Sequence, residues 1–251
     1  MRCIKQLVGS FSESVEFTVF DVRVKGEVPG VDFDAYISSG GPGDPHEYNP
    51  LWSDKWAAWI SGVIEHNNRN LQKKQVLLIC HSFQLICIQL GIGTVSLRHS
   101  PSFGILPMHL TAAGLAEPLL TGLNDPFYAV DSRSYQVLAG QEPDVPGCKV
   151  LAIEKLRTHI PRERALMALE FSPEIIGTQF HPEADPEGMG NYFRQPEKRA
   201  QIIAEHGEPK YLDMMHSLYD PQRLLNTYNT IIPGFLARCF RQATTNKQPH
   251  I

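Results

Sequence analysis

Nowhere in the 251 residues does an apolar run approach the ~20 residues that span a bilayer, so a helical membrane anchor is not expected. The N-terminal segment MRCIKQLVGSFSES has one short apolar cluster and no signal-like cleavage region. Five cysteines are present, an odd number with no Cys-x-x-Cys pair, in a chain long enough to build a core without staples. A disulfide framework is therefore not expected, and a reducing cytoplasm is the anticipated compartment. No His-Glu-x-x-His and no clustered Cys/His spacing occurs, so neither a metal site nor any other cofactor is expected. A net charge of −4 gives no electrostatic reason to expect nucleic acid or an anionic membrane as partner. Internal repeats and low-complexity linkers are missing too. What remains is ordinary for one globular unit, at 42% hydrophobic and 20% charged residues.

The order of segments predicts an α/β fold. Cys3, Ile4, Leu7 and Val8 share one side of a short helix that closes near Gly9. Val15 to Val22 (VEFTVFDV) alternates like a strand, and Asp34 to Ser39 (DAYISS) is a second strand entering a glycine-rich loop. Trp56, Trp59, Ile60, Val63 and Ile64 follow at helical spacing, with Ser53 or Asp54 available as N-cap. Gln75 to Cys80 (QVLLIC) is apolar without alternation, the pattern of a strand covered on both faces, and it runs directly into a helix that stops at Gly91. This rhythm predicts a mainly parallel sheet flanked by helices.

From about residue 94 to 170 the texture is shorter. Strand-like pieces at Phe127 to Val130, Tyr135 to Leu138 and Val150 to Ile153 are separated by Gly, Pro and Asp. ALMALEF and EIIGTQF then form two strands around a Ser-Pro turn, the second ending at His181. The remainder is expected to be helical, with Leu224, Leu225, Tyr228, Ile231 and Ile232 on one face before Pro233-Gly234 breaks the helix. The simplest division is a domain over residues 1–190, with 191–251 as a helical C-terminal extension packed on it.

Cys80 ends a buried strand where a helix begins. The helix N-terminus offers unpaired N–H groups and partial positive charge, which favour a thiolate and an oxyanion. Equally, a cysteine there can be a small core hydrophobe, as Cys87 is expected to be. His181 ends another apolar strand, with Glu183 two residues on, so that a base and its orienting carboxylate can face one site. In Ser38 to Pro45 (SSGGPGDP), paired glycines let a substrate approach the backbone closely.

Together, Ser39-Gly40-Gly41-Pro42-Gly43, Leu78-Ile79-Cys80-His81-Ser82-Phe83-Gln84 and His181-Pro182-Glu183 resemble the three motifs of class I glutamine amidotransferases. The overall look is similar to the stand-alone amidotransferase half of GMP synthase. The resemblance covers residues 34–183 and implies a flavodoxin-like fold. It implies that Cys80 attacks the glutamine side-chain amide to form a thioester, with His181 as base and acid and Glu183 orienting it. Gly40 and Gly41 would form the oxyanion loop, the N–H groups of Gly41 and His81 would hold the oxyanion, and Gln84 would line the glutamine pocket. Ammonia would pass to a synthetase partner, although no Ser-Gly-Gly-x-Asp-Ser loop and no Walker A motif accompanies the domain.

Three departures stand out. Leu78 and Ser82 replace the two elbow glycines, and His81 is expected to face solvent, the alternative being a positive neighbour to the thiol. The family's interior first strand has no counterpart in the sequence, so either the native start lies upstream or another segment fills the gap. Arg133, in the loop DSRSYQVL, could pair with a substrate carboxylate or lie on the surface. Homoserine acyltransferases of a similar scaffold also use Cys, His and Glu beside a Ser-Arg pair, but lack the full glycine loop. They are the rival reading, and a catalytically silent regulatory homologue is the third.

Overall fold

The computed structural model describes residues 2–11, 15–140, 147–156 and 162–245. The last six residues of the expected C-terminal extension, and Met1, lie outside the described residues. Nine helices and seven strands alternate along them: α1 (Arg2–Phe11), α2 (Val22–Lys25), β1 (Ala35–Ser38), α3 (Ser53–Arg69), β2 (Gln75–Ile79) and α4 (His81–Leu90) come first. β3 (Thr94–Leu110), α5 (Ala112–Ala116), β4 (Phe127–Leu138), β5 (Lys149–Glu154), β6 (Leu166–Ser172) and β7 (Ile175–Thr178) follow. The chain closes with α6 (Pro186–Phe193), α7 (Pro196–His206), α8 (Glu208–Tyr219) and α9 (Leu224–Thr245).

One sheet in the order β1-β2-β7-β6-β5-β3-β4 organises them. Only β1, β2 and β7 run parallel. The other four neighbouring pairs are antiparallel, so the sheet is mixed rather than mainly parallel. The physical reason is connectivity. A crossover helix such as α3 returns the chain for a parallel pairing, whereas the short turn at Pro173-Glu174 between β6 and β7 permits only a hairpin.

β2 shows why an unbroken apolar run was needed. Its successive side chains point to opposite faces, and every one is buried. Val76 and Leu78 pack with Trp56, Trp59, Ile60 and Val63 of α3. Leu77 and Ile79 pack on the other side with Leu7 and Val8 of α1 and Ile231, Ile232, Phe235 and Leu236 of α9. α4 sits over Val137, Leu166 and Leu169 through Phe83 and Cys87. The helices α6 to α8 cover Ile105 and Val130 near the other end of the sheet. No helix among the described residues is long and apolar enough to cross a membrane.

Four local expectations are corrected. Residues 15–21 form no strand, because they pair with no other strand, and Val22–Lys25 is a helical turn. α3 begins at Ser53, so the N-cap position falls on Trp52, and the Ser53 hydroxyl instead accepts from the Asn49 N–H. The pieces 127–130 and 135–138 belong to one continuous strand, β4, paired along its length with a 17-residue β3 that was not anticipated. α9 continues through Pro233 instead of breaking there, and Leu225 is 37% exposed while Leu224, Ile231 and Ile232 are fully buried.

β1 is an edge strand, hydrogen-bonded to β2 alone among the described residues. Along its outer side runs a cavity of about 840 Å³. Trp52, Trp56 and Trp59, Phe235 and Leu236, and the segment Val15 to Phe20 line it together with β1.

Candidate active site

Cys80 stands between β2 and α4, as the buried apolar strand and the helix signal require. Its backbone N–H donates to Thr178 O of β7 at 2.7 Å, and its carbonyl accepts from Gln84 N at 3.1 Å, closing the first turn of α4. Between these constraints the residue adopts φ 53° and ψ −101°. It is the one non-glycine with positive φ among the described residues. A Cβ-bearing residue there is strained, by about 1–3 kcal/mol, and persists only because the surroundings over-determine it. The side chain is 6% exposed. Cys87, two helical turns further, is a core residue as expected, and burial pushes its thiol pKa well up.

His181 reaches the same point from the far side of β7. Its backbone N–H donates to Val130 O at 2.9 Å, which ties the segment to β4. The ring Nδ1 lies 2.8 Å from Glu183 Oε1, and the imidazole and the Cys80 side chain flank the same glycine, Gly40. Burial lowers the pKa of His181, but the hydrogen bonds and charges of Cys80 and Glu183 outweigh it and hold the ring well above its ordinary value. With Nδ1 on the carboxylate, Nε2 is the nitrogen left for the sulfur. Glu183 Oε2 is buried with no protein partner.

Gly40 fits between the two. A Cβ on it would lie 2.9 Å from Cys80 Cβ and 3.1 Å from His181 Cε1, so any side chain displaces one of them. A Cβ on Gly41 would lie 2.6 Å from Arg23 Nε. Sequence reasoning missed Arg23. Its guanidinium lies over the Trp52 ring, donates to Pro42 O from Nη1, and leaves Nη2 buried without a protein partner. No pattern around residue 23 announces this, since only the folded path of residues 15–25 brings it to the glycine loop.

The two missing elbow glycines have distinct replacements. Leu78 is fully buried against the α3 side, and its neighbour across the ladder is Gly177. A Cβ on Gly177 would lie 2.6 Å from the Phe83 ring and 2.9 Å from that of Phe171, so the glycine leaves room on β7 for these two rings. Ser82 instead becomes a clasp. Its hydroxyl donates to Ser39 O at 2.9 Å and lies 2.8 Å from Ser38 Oγ, which accepts from Trp56 Nε1 at 3.2 Å. With one proton each, Ser82 donates to the carbonyl and Ser38 donates to Ser82, so the chain of bonds is consistent.

His81 corrects both of its expected settings. It is 4% exposed, with its ring edge-on to Trp52, so it does not face solvent. Burial, with the charge of Arg23 adding to it, pushes its pKa down to about 4, so the ring is neutral near pH 7 and adds no positive charge to the thiol. Gln84 is 3% exposed, and its amide nitrogen points inward, to Gln179 Oε1 at 3.0 Å and Tyr135 O at 3.4 Å.

Arg133 is neither on the surface nor free for a substrate. Its Nε donates to Asp131 Oδ1 at 2.8 Å, and Nη2 lies 3.6 Å from Glu154, which also pairs with Arg98 at 2.9 Å. These four side chains form a buried ion network between β3, β4 and β5.

A cysteine on a strained strand-to-helix corner, a histidine–carboxylate pair against it and a glycine loop between them define an α/β fold of the flavodoxin-like amidotransferase type. The chain belongs to the family described as "Glutamine amidotransferase class-I", whose model matches residues 3–196. It is 28% identical over 154 residues to an aminodeoxychorismate synthase of Saccharomyces cerevisiae, covering 61% of this chain. The chain spans 18% of the length of that curated relative. A glutamine amidotransferase structure from Thermotoga maritima superimposes with TM-score 0.69 at 13% identity, covering 94% of this chain and 90% of that one. A glutamine amido transferase from Methylobacillus flagellatus gives TM-score 0.69 at 15% identity, covering 95% and 88%. At those identities the structures speak for the fold.

Proposed function

We propose that the protein hydrolyses the side-chain amide of glutamine through Cys80, His181 and Glu183 and delivers ammonia to a synthetase partner. The observation that carries this reading is the Glu183–His181 hydrogen bond with the His181 ring and Cys80, a sulfur-bearing residue at positive φ, both against Gly40. His181 Nε2 takes the thiol proton while Nδ1–H stays on Glu183, and Cys80 Sγ attacks the amide carbon. The developing oxyanion is held by the N–H groups of Gly41 and His81, the latter at the N-terminus of α4. His181 returns its proton to the leaving nitrogen, releasing ammonia and a glutamyl thioester. Water, deprotonated by the same imidazole, then hydrolyses the thioester to glutamate. The intact glycine loop favours glutamine over the acyltransferase reading. The match to part of a curated synthase supports a partner that consumes ammonia, whose identity stays open.

The test is intact-mass analysis after exposure to a diazo-ketone analogue of glutamine. One covalent adduct on the wild type and none on Cys80→Ser is expected, with glutamine hydrolysis by the variant reduced by at least ~10³-fold. A folded wild type that takes no adduct and releases no ammonia from glutamine overturns the proposal.

A further inference from the structure

Two residues before His181, on the same face of the chain, lies a side chain that the triad does not use. Gln179 is fully buried, and its backbone N–H donates to Met167 O at 2.8 Å. Phe180, between the two, packs in the core edge-on to Phe127. The side-chain Nε2 of Gln179 lies 3.8 Å from Cys80 Sγ, within reach of an N–H to sulfur hydrogen bond. Its Oε1 accepts from Gln84 Nε2 at 3.0 Å.

An amide can present either end to its neighbour, so something must decide which end meets the sulfur. Here the decision propagates from a backbone carbonyl. Tyr135 O can only accept, and Arg133 Nη1 already donates to it at 3.2 Å. Gln84 therefore turns its NH₂ toward Tyr135 O and, with the same group, donates to Gln179 Oε1. Gln179 is left with its NH₂ toward Cys80. A flip of either amide would set two acceptors or two donors face to face in a site closed to water, at a cost that burial magnifies. The sulfur consequently meets a donor from below and the His181 imidazole beside it.

We propose that Gln179 is a positioning residue for Cys80, donating a hydrogen bond that favours the thiolate and holds Sγ in the rotamer facing His181. Gln84 acts through it by fixing the polarity of its amide. This rests on the glutaminase reading for its purpose, but not for its test.

The experiment is alkylation of Cys80 by iodoacetamide from pH 5.5 to 9, followed on the peptide that carries Cys80, in wild type, Gln179→Leu, Gln179→Glu and Gln84→Leu. Gln179→Leu is expected to slow alkylation at neutral pH by about 3- to 10-fold and to move the profile toward higher pH, the loss of one hydrogen bond to a charged group. Gln179→Glu, placing a carboxylate against the sulfur while still accepting from Gln84, is expected to move it further. Gln84→Leu frees the Gln179 amide to flip and is expected to shift the profile in the same direction by a smaller amount. Wild-type profiles in folded Gln179→Leu and Gln84→Leu proteins overturn the inference. If Gln179→Leu does not fold, an unmoved profile in Gln84→Leu overturns it as well. Alkylation requires no glutamine turnover, so a protein that fails to hydrolyse glutamine but shows these shifts loses the proposed function and keeps this role for Gln179.

Discussion

Two buried polar clusters lie within a few strands of each other, and they are finished differently. Arg98, Arg133, Asp131 and Glu154 neutralise one another, and the remaining donors of the two arginines go to Ser100 O, Gln136, Tyr135 O and Met167 Sδ. Around Cys80, by contrast, the backbone is strained, Glu183 Oε2 and Arg23 Nη2 have no protein partner, and a glycine stands where a side chain would collide. Buried polar atoms are almost always satisfied, and two of the five unpartnered ones among the described residues, Glu183 Oε2 and Arg23 Nη2, belong to this cluster, while none belongs to the ion network. The ion network ties β3, β4 and β5 together, whereas the Cys80 cluster keeps its strain and its unpartnered atoms.

Substitutions can break that contrast. Arg133→Met leaves the buried Asp131 without its ion-pair partner, and is expected to cost about 3–5 kcal/mol, lowering the melting temperature by roughly 10 °C. The fraction still folded should take the glutamine-analogue adduct. A melt close to wild type would show that the network is not what stabilises this region. Gly40→Ala is the opposite case, with little change in melting but roughly 100-fold slower glutamine hydrolysis, because its Cβ must displace Cys80 or His181. Parallel losses of stability and activity in both variants would erase the distinction.

His81 supplies a sharper, pH-resolved test. Its folded pKa, about 4, lies below the ordinary value of 6.5, so the unfolded chain binds the proton more readily. The contribution of the neutral ring is complete above pH 6.5 and is lost as pH falls toward 4. Between pH 7.5 and 5 this amounts to about 2 kcal/mol. His81→Gln should flatten that part of the stability curve in chemical unfolding, and an unchanged acid slope would count against the burial described. The smallest effect is expected from Ser82→Ala, which removes the clasp to Ser39 O and Ser38 at about 1 kcal/mol. Its measure is a melting shift of about 2–4 °C.

Much of this was legible from residues alone. The corner at Cys80 follows from five buried apolar residues ending at a cysteine before a helical pattern, and Gln75–Ile79 and His81–Leu90 fall where that pattern puts them. β3 escaped because Pro101, Gly104 and Pro107 interrupt its alternation, and its register shifts between Leu97 and Ser102. The Val15–Val22 pattern was a sound strand signal, yet a strand needs a partner and this segment has none among the described residues. Gln179 left a trace that went unread, since period-two spacing from His181 already places both on one face. Arg23 and the inward turn of Gln84 left none. Both depend on which segments meet, and a single sequence does not state that.

One consequence of the edge position of β1 concerns stiffness. This four-residue strand carries the loop with Gly40 and Gly41, yet its ladder ties it to β2 on one side only. A cantilever of that kind would sway if the sheet were its only support. The bracing comes from beyond the ladder, from Trp56 and Ser82 holding Ser38 and Ser39, and from His46 Nε2 lying 3.0 Å from Val95 O on β3. The alignment of the glycine loop with the sulfur is thus set by a few side-chain struts, and the serine in place of an elbow glycine is one of them.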